Sequence, residues 1–381
     1  MKPDWREMMQ GLIESPSMSS VSPQFDTGNR EVSERLAGWL EDLGFEVVLQ
    51  PVEGRDKFNV IATLGRGPGG LVLSGHTDTV PYDEKRWNHD PFQVTEADDR
   101  LYGLGTCDMK GFLALAIEVA SRYRPEELAE PIIILGTADE ESSMSGGKAL
   151  VAEHGLRARC AIIGEPTRLR PVHLHKGIYM DGVRLTGRSG HSSNPALGNN
   201  ALDGMHRVLG EILAFRDEIQ SEHHNPAFAV PYPTLNLGHI HGGDNPNRIA
   251  PEAELHFDLR PLPGMDLDVT RQALRDRVRE SVAETGLEVD FLELFEGVGG
   301  LDTPEDAEIV RAVTELTGRE PEAVDFSTEG PFLQSLGIDT VIVGPGDIAQ
   351  AHQPDEYLAL DTIQPTLDMI DGLIRRFCVE K

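Results

Sequence analysis

The stretch that most constrains this chain is Leu71–Pro81, LVLSGHTDTVP. Its apolar start, Leu71-Val72-Leu73, has the character of a buried strand. The run stops at Ser74-Gly75, just before His76-Thr77-Asp78. In an open α/β sheet, sites form outside the carboxyl ends of the strands. His76 and Asp78 stand two apart, so in extended chain their side chains lean the same way. An imidazole with a carboxylate close by suits a metal ligand and the partner that fixes its tautomer. A solvated strand end with a chance His-x-Asp reads the same, so the choice turns on the rest of the chain.

The rest repeats the arrangement. In YGLGTCDMKG, Gly103 and Gly105 permit a tight turn, and Asp108 stands just before an apolar helix expected over Phe112–Tyr123. A carboxylate there is either a helix cap or a ligand. Cys107 beside it lacks the surroundings of a thiol nucleophile. A second buried strand, Pro131–Leu135, runs into Asp139-Glu140-Glu141. Neighbours in extended chain point opposite ways, so one acid can ligate while the other faces a substrate. A third, Cys160–Gly164, is followed by Glu165, and a fourth, Thr340–Val343, precedes His352 in AHQPDEY. Gly146-Gly147-Lys148 lacks the spacing of a phosphate-binding loop.

The candidate ligands are therefore His76, Asp108, Glu141, Glu165 and His352. Two imidazoles and three carboxylates suit zinc, or cobalt and manganese, rather than calcium. Five ligands exceed the needs of one tetrahedral ion, so two ions sharing a carboxylate is the economical arrangement. His173-x-His175 and His239-x-His241 also put two imidazoles on one strand face, but the sequence offers neither pair an acidic companion set.

Helices expected at Trp5–Ile13 and Glu31–Leu43 alternate with strands at Phe45–Gln50 and Asn59–Leu64, which predicts an α/β fold with a mostly parallel central sheet flanked by helices. From Ile178 the pattern changes to strands of mixed character with two helices, Asn200–Phe215 and Val269–Thr285, and after Gly300 the α/β pattern resumes. This predicts a main domain over 1–179 and 293–381 and an inserted α+β domain over 180–292.

A formal net charge of −30 argues against nucleic acid and anionic membrane surfaces as partners. Three cysteines without paired spacing make no disulfide framework. No basic-then-apolar leader opens the chain and no apolar run nears membrane-spanning length, so a cytoplasmic protein is expected.

Taken together, SGHTDTVP, GLGTCDMKG, ADEESSMSGG, IIGEPT, GRSGHSS and AHQPDEY resemble the acetylornithine deacetylase/succinyl-diaminopimelate desuccinylase family of dinuclear zinc metallopeptidases. KFN at 57–59, HKG at 175–177, PYPTLNLGHIHGGDNPNRI at 231–249, LRPLPGM at 259–265 and STEGPF at 327–332 resemble its acetylornithine-hydrolysing branch. The resemblance implies a metal-bearing catalytic domain, an inserted lid through which two subunits dimerise, and hydrolysis of a small N-acetylated amino acid. It implies that His76 and Glu165 hold one zinc, Glu141 and His352 the other, and Asp108 bridges them, with cobalt able to substitute. Asp78 would orient His76 and Glu140 would be the general base. His191 of the lid would reach a partner subunit's site and stabilise the oxyanion, and Asn247 and Arg260 would meet the substrate carboxylate. In the desuccinylases the segment matching STEGPF carries an Arg. Here that place is Pro331, preceded by Glu329 and Gly330; an acid in place of a base favours a cationic side chain, so Glu329 is the expected ammonium contact. Desuccinylation, acetylcitrulline hydrolysis or broad aminoacylase activity are alternatives within that chemistry, and a non-catalytic metal or amino-acid binder is the alternative outside it.

Overall fold

The computed structural model describes residues 3–53, 56–153 and 155–379. In chain order, α1 (Trp5–Glu14) and α2 (Arg30–Asp42) precede β1 (Glu46–Pro51), β2 (Phe58–Leu64), β3 (Leu71–His76), β4 (Thr95–Ala97) and β5 (Arg100–Tyr102). Then follow α3 (Lys110–Ala120), β6 (Ile132–Thr137), α4 (Ser145–Glu153), β7 (Cys160–Ile163) and β8 (Val172–His175). Next come β9 (Ile178–Thr186), α5 (Ala201–Glu222), β10 (Thr234–Gly242), β11 (Glu252–Arg260), α6 (Leu267–Val282), β12 (Glu288–Val298) and β13 (Leu301–Asp302). The chain closes with α7 (Glu308–Thr317), β14 (Glu322–Val324), α8 (Gly330–Ser335), β15 (Asp339–Ile342), β16 (Tyr357–Ala359) and α9 (Ile363–Ile374). Two compact units result: Leu174–Asp302 with Ala323–Ser327 form the second, and the other described residues form the first. The second unit is thus wider at both ends than the stretch 180–292 expected from the sequence.

In the first unit the sheet runs β1-β2-β6-β3-β7-β15-β8. Its parallel character is confined to the middle four strands: β6, β3, β7 and β15 pair parallel, while β1/β2, β2/β6 and β15/β8 pair antiparallel. The middle strands are apolar throughout because both their faces are covered. Leu73, Ile134, Ile162 and Val341 lie in one row of the register, and all are buried. Parallel strands in register end together, so His76, Thr137, Ile163 and Ile342 finish along one edge, and the loops after them meet there. Helix α3 packs against α1, α9 and β3. It is apolar nearly all round, as a helix buried in a core must be. Its one amine, Lys110, is buried and donates to the carbonyls of Leu12 and Ser15 at 3.1 and 3.0 Å.

The second unit is an antiparallel sheet in the order β10-β11-β9-β12. Alternate residues, among them Tyr179, Val183, Leu185, Leu255 and Phe257, form a core with Val208 and Ile212 of α5 and Leu274 and Val278 of α6. Both helices therefore lie on one face of this sheet. Burying that apolar face is what holds two amphipathic helices to it.

Candidate metal centre

His76 is the last residue of β3 and is buried. Its Nδ1 lies 2.9 Å from the carbonyl oxygen of Asp78, and its Nε2 lies 3.1 Å from Asp108 Oδ1 and 3.7 Å from Glu165 Oε1. A carbonyl can only accept, so Nδ1 carries the proton and Nε2 is left as the ligand atom. The Asp78 carboxylate stands further from Nδ1, at 3.8 Å. It accepts instead from the main-chain N–H groups of Glu140 and Glu141 at 3.2 and 3.1 Å. Expected to set the imidazole through its side chain, Asp78 sets it through its backbone and uses its side chain to hold the turn carrying the two glutamates.

That turn has a second anchor the sequence reading passed over. Asp139 adopts a left-handed backbone with φ 65°, which Asp tolerates better than most residues. Its carboxylate accepts from the hydroxyls of Ser142 and Ser145 at 2.9 Å each, and also from those of Ser19 and Ser143. It pairs with the buried ammonium of Lys57, which reaches Asp26 at 2.9 Å as well. Burial works against the Asp139 charge, but these bonds outweigh it and hold the group at about 2. The only signal in the sequence was a third acid beside a pair already assigned.

Asp108, unlike the other acids of the site, does not follow a strand of the central sheet. It comes from the loop between β5, in a small sheet of β16-β5-β4, and α3. Gly103 and Gly105 have φ of 153° and 86°, the turn their spacing implied. The loop is held from beneath by Glu356, whose buried Oε1 accepts the N–H groups of Gly105, Cys107 and Asp108 at 3.1, 2.8 and 3.0 Å. Burial, and then the Asp108 charge, push Glu356 up to about 8 despite those donors. Glu356 lies in AHQPDEY, just before β16, and no spacing in the sequence marks it.

The carboxylate of Asp108 thus stands between two imidazoles, Oδ1 toward His76 and Oδ2 at 3.5 Å from His352 Nε2. His352 Nε2 also lies 3.1 and 3.0 Å from the two oxygens of Glu141. His76, Asp108 and Glu141 bring ligand atoms within 4.8 Å of one another, and Glu165 flanks His76. All five expected ligands therefore meet, His76 and Glu165 on one side of Asp108, Glu141 and His352 on the other. Glu140 is half-buried, and its main-chain N–H donates to Asp78 at 3.2 Å. Burial raises Glu140 well above the usual carboxylate range. His76 opposes that rise, and the charges of Glu165, Glu141 and Glu329 add to it. Glu165 is raised for the same first reason. Burial opposes the Asp108 charge too, but its bonds to His352 and His76 outweigh this and hold it well below that range. Bonds to Asp108 and Glu141 push His352 up to about 11. Four acids crowded around two imidazoles fit a pair of divalent cations, whose charge offsets the repulsion and whose chemistry matches N and O donors.

The substrate-side candidates divide. Glu329 stands just before α8 and is buried, its side chain accepting from Ser74 Oγ, two residues before His76, at 2.8 Å. His191, Asn247 and Arg260 lie in the second unit. His191 bridges to Arg248 in the backbone, and the Asn247 carbonyl accepts the Ser192 N–H at 3.1 Å, so these two loops are joined. His191 Nδ1 accepts from Ser193 Oγ at 2.8 Å, which leaves Nε2 free to carry the proton. Arg260 is paired within its own strand to Asp258 at 3.1 Å.

The pattern of peptidase family M20/M25/M40 matches residues 72–376. The chain belongs to that family. It is accordingly a metal-dependent hydrolase. Among curated relatives, the acetylornithine deacetylase of Edwardsiella ictaluri is 48% identical over 377 residues, covering 99% of this chain and 98% of that one. Two solved structures are alike in fold. A family M20 metallo-carboxypeptidase from Sulfolobus solfataricus has a TM-score of 0.77 at 19% identity, over 98% of this chain and 99% of that one. A dinuclear metal-binding peptidase of the family from Bacillus subtilis has a TM-score of 0.65 at 16% identity, over 97% and 96%. Among the described residues, no helix of this M20 chain is long and apolar enough to cross a membrane.

Proposed function

We propose that this chain hydrolyses N2-acetyl-L-ornithine to L-ornithine and acetate, using two zinc ions per subunit held by His76 and Glu165, by Glu141 and His352, and by Asp108 between them. The observation that carries the chemistry is Asp108 standing between two imidazoles, each with its own glutamate. The substrate is drawn from the full-length relative that bears the deacetylase name. Bound there, the ions supply Lewis acidity at the acyl carbonyl and acidify water.

The residues do the rest. Glu140 takes a proton from the attacking water as its oxygen bonds to the acetyl carbon, then passes it to the α-amine as the C–N bond breaks. His191 donates to the oxygen that gathers negative charge. In this reading it comes from a partner subunit, the two second units pairing as lids. Strand β10 is the last in its sheet order and Ile240 is exposed on it, which supports an association edge. Asn247 and Arg260 receive the substrate carboxylate, Arg260 exchanging Asp258 for it. Glu329 receives the side-chain ammonium. We assign the reaction to the cytoplasm, as the three buried free thiols fit a reducing compartment.

The test is acetate release by zinc-loaded protein from acetylornithine, acetylcitrulline and acetylmethionine, and succinate release from succinyl-diaminopimelate, each with and without chelator. Preference for acetylornithine, abolished by chelator, is the expected result. Chelator-sensitive preference for another substrate removes acetylornithine and keeps the site. No turnover of any acyl substrate turns the reading toward a binding protein.

A further inference from the structure

The pair His239-x-His241 gains in the fold the companions it lacks in the sequence. Strand β10 pairs with β11 in the register Leu235↔Leu259 and Leu237↔Phe257, and the register then shifts to His239↔His256 and His241↔Glu254. The shift lies at Gly238, an extra residue in β10. A bulge of this kind turns the following side chains to the other face of the sheet. Leu235 and Leu237 pack with the core beneath the helices, while His239 and His241 stand on the helix-free face with Glu254 and His256. Those two alternate with buried Ala253, Leu255 and Phe257.

The result is a two-by-two patch: three imidazoles and one carboxylate at the corners of two adjacent cross-strand pairs. Directly opposed residues have Cβ atoms about 4.5–5.5 Å apart, close enough for two side chains to share an ion. The His239 and His256 rings already lie with centroids 5.0 Å apart, and His256 Nε2 lies 2.6 Å from Glu254 Oε1. Arg184 Nε bonds the other oxygen, Glu254 Oε2, at 2.6 Å, and so aims Oε1 along the face. An outer hydrogen bond of this kind orients a ligating carboxylate. His239 and His241 are exposed, which leaves the patch open to an ion and their rings free to turn. As the side chains stand, His76, Asp108 and Glu141 are the described trio with ligand atoms within 4.8 Å. Closing the second patch requires the two exposed imidazoles to rotate toward His256.

We propose that His239, His241, His256 and Glu254 form a binding site for a transition-metal dication, separate from the centre around Asp108. Three nitrogen donors and one oxygen suit zinc, nickel or copper, and exclude calcium and magnesium by ligand type. The ion takes the place of the hydrogen bond between His256 Nε2 and Glu254 Oε1 and binds the imidazoles as neutral ligands.

The probe is zinc alone, counted by elemental analysis after equilibrium dialysis of the full chain at pH 7.5 and micromolar free metal. Wild type is expected to hold one equivalent more than the His239→Ala/His241→Ala double variant, and Glu254→Gln is expected to weaken that equivalent about tenfold or more. The two exposed histidines can be replaced without touching the core, and circular dichroism verifies that each variant is folded. Copper added at one equivalent to the variant lacking the Asp108 centre, Asp108→Ala/His352→Ala, is expected to give an electron paramagnetic resonance spectrum with nitrogen hyperfine structure that the further loss of His239 and His241 removes. Equal zinc stoichiometry in wild type and the His239/His241 variant, or a copper spectrum indifferent to them, overturns the proposal. Because these readouts count ions and leave acetate release aside, they fail independently of the deacetylase reading.

Discussion

The carboxylate of Glu356 accepts the main-chain N–H of Asp108 at 3.0 Å, and by the same oxygen those of Cys107 and Gly105. Asp108 is thus positioned through its backbone by a buried acid outside the proposed ligand set. Glu356→Ala leaves three buried donors unsatisfied and is expected to cost on the order of 3–5 kcal/mol, with loss of bound metal. Glu356→Gln keeps an acceptor oxygen and should retain most of the stability and both ions. Urea unfolding with metal counting checks this; equal behaviour of the two variants would show that the acceptor is not what matters.

In the proposed reading Glu140 is the base and Glu141, 3.0 Å from His352, is a ligand. Glu140→Gln is expected to lower kcat by roughly 10²–10⁴ while metal content stays at wild-type level, the scale of a lost general base. Glu141→Gln should lose metal instead. Elemental analysis beside the rate assay separates the two, and metal loss in the Glu140 variant would exchange their roles.

Asp139 and Lys57 form a buried ion pair beneath the turn that carries both glutamates. Removing the Asp139 charge leaves Lys57 with Asp26 as its remaining partner and weakens the acceptor of the serine hydroxyls, which is expected to cost about 1–3 kcal/mol. Asp139→Asn should therefore lower the unfolding free energy by about that much and reduce turnover together, because the same carboxylate fixes the Glu140–Glu141 turn. Lys57→Met/Asp139→Asn should recover part of the stability. A double variant no more stable than the single one would place the cost in the serine hydroxyls rather than in Lys57.

Glu329 is a buried carboxylate one hydrogen bond away from β3, raised by burial above its usual range although Ser74 donates to it. If it receives the ammonium of the substrate, Glu329→Gln should reduce the preference for acetylornithine over acetylcitrulline by at least tenfold in kcat/KM. An unchanged ratio assigns Glu329 to the structure of α8 alone.

Much of this was legible in the sequence for a simple reason. His76, Glu140, Glu141 and Glu165 follow apolar runs, and parallel strands must end on one edge, so linear position reports spatial position. His352 and Asp108 were placed less directly, because His352 arrives by a long loop after β15 and Asp108 comes from outside the central sheet. Glu356, Asp139 and Lys57 were missed because their work is done on main-chain N–H groups and buried charge, which leave no spacing to read. The antiparallel flanks of the sheet were missed for a related reason: a buried strand is apolar in either direction. The bulge at Gly238 hid the companions of His239 and His241, since an extra residue in one strand changes which face the next side chains take.

His175 offers a test of the second unit by pH. It is fully buried, and its Nδ1 donates to the Lys176 carbonyl at 2.7 Å. Burial pushes the imidazole down to about 4, against 6.5 in an exposed chain. Between those values the unfolded chain binds a proton that the folded one refuses, so stability is full above about pH 6.5 and is lost as pH falls toward 4. At pH 5 the loss is about 2 kcal/mol. His175→Asn cannot titrate and should lose less than wild type between pH 7 and pH 5 by that amount, measured as urea-unfolding free energies. Acid also frees metal from the first unit, but it does so in both proteins, so the difference between them isolates His175. Equal losses would mean that the imidazole is able to take a proton where it sits.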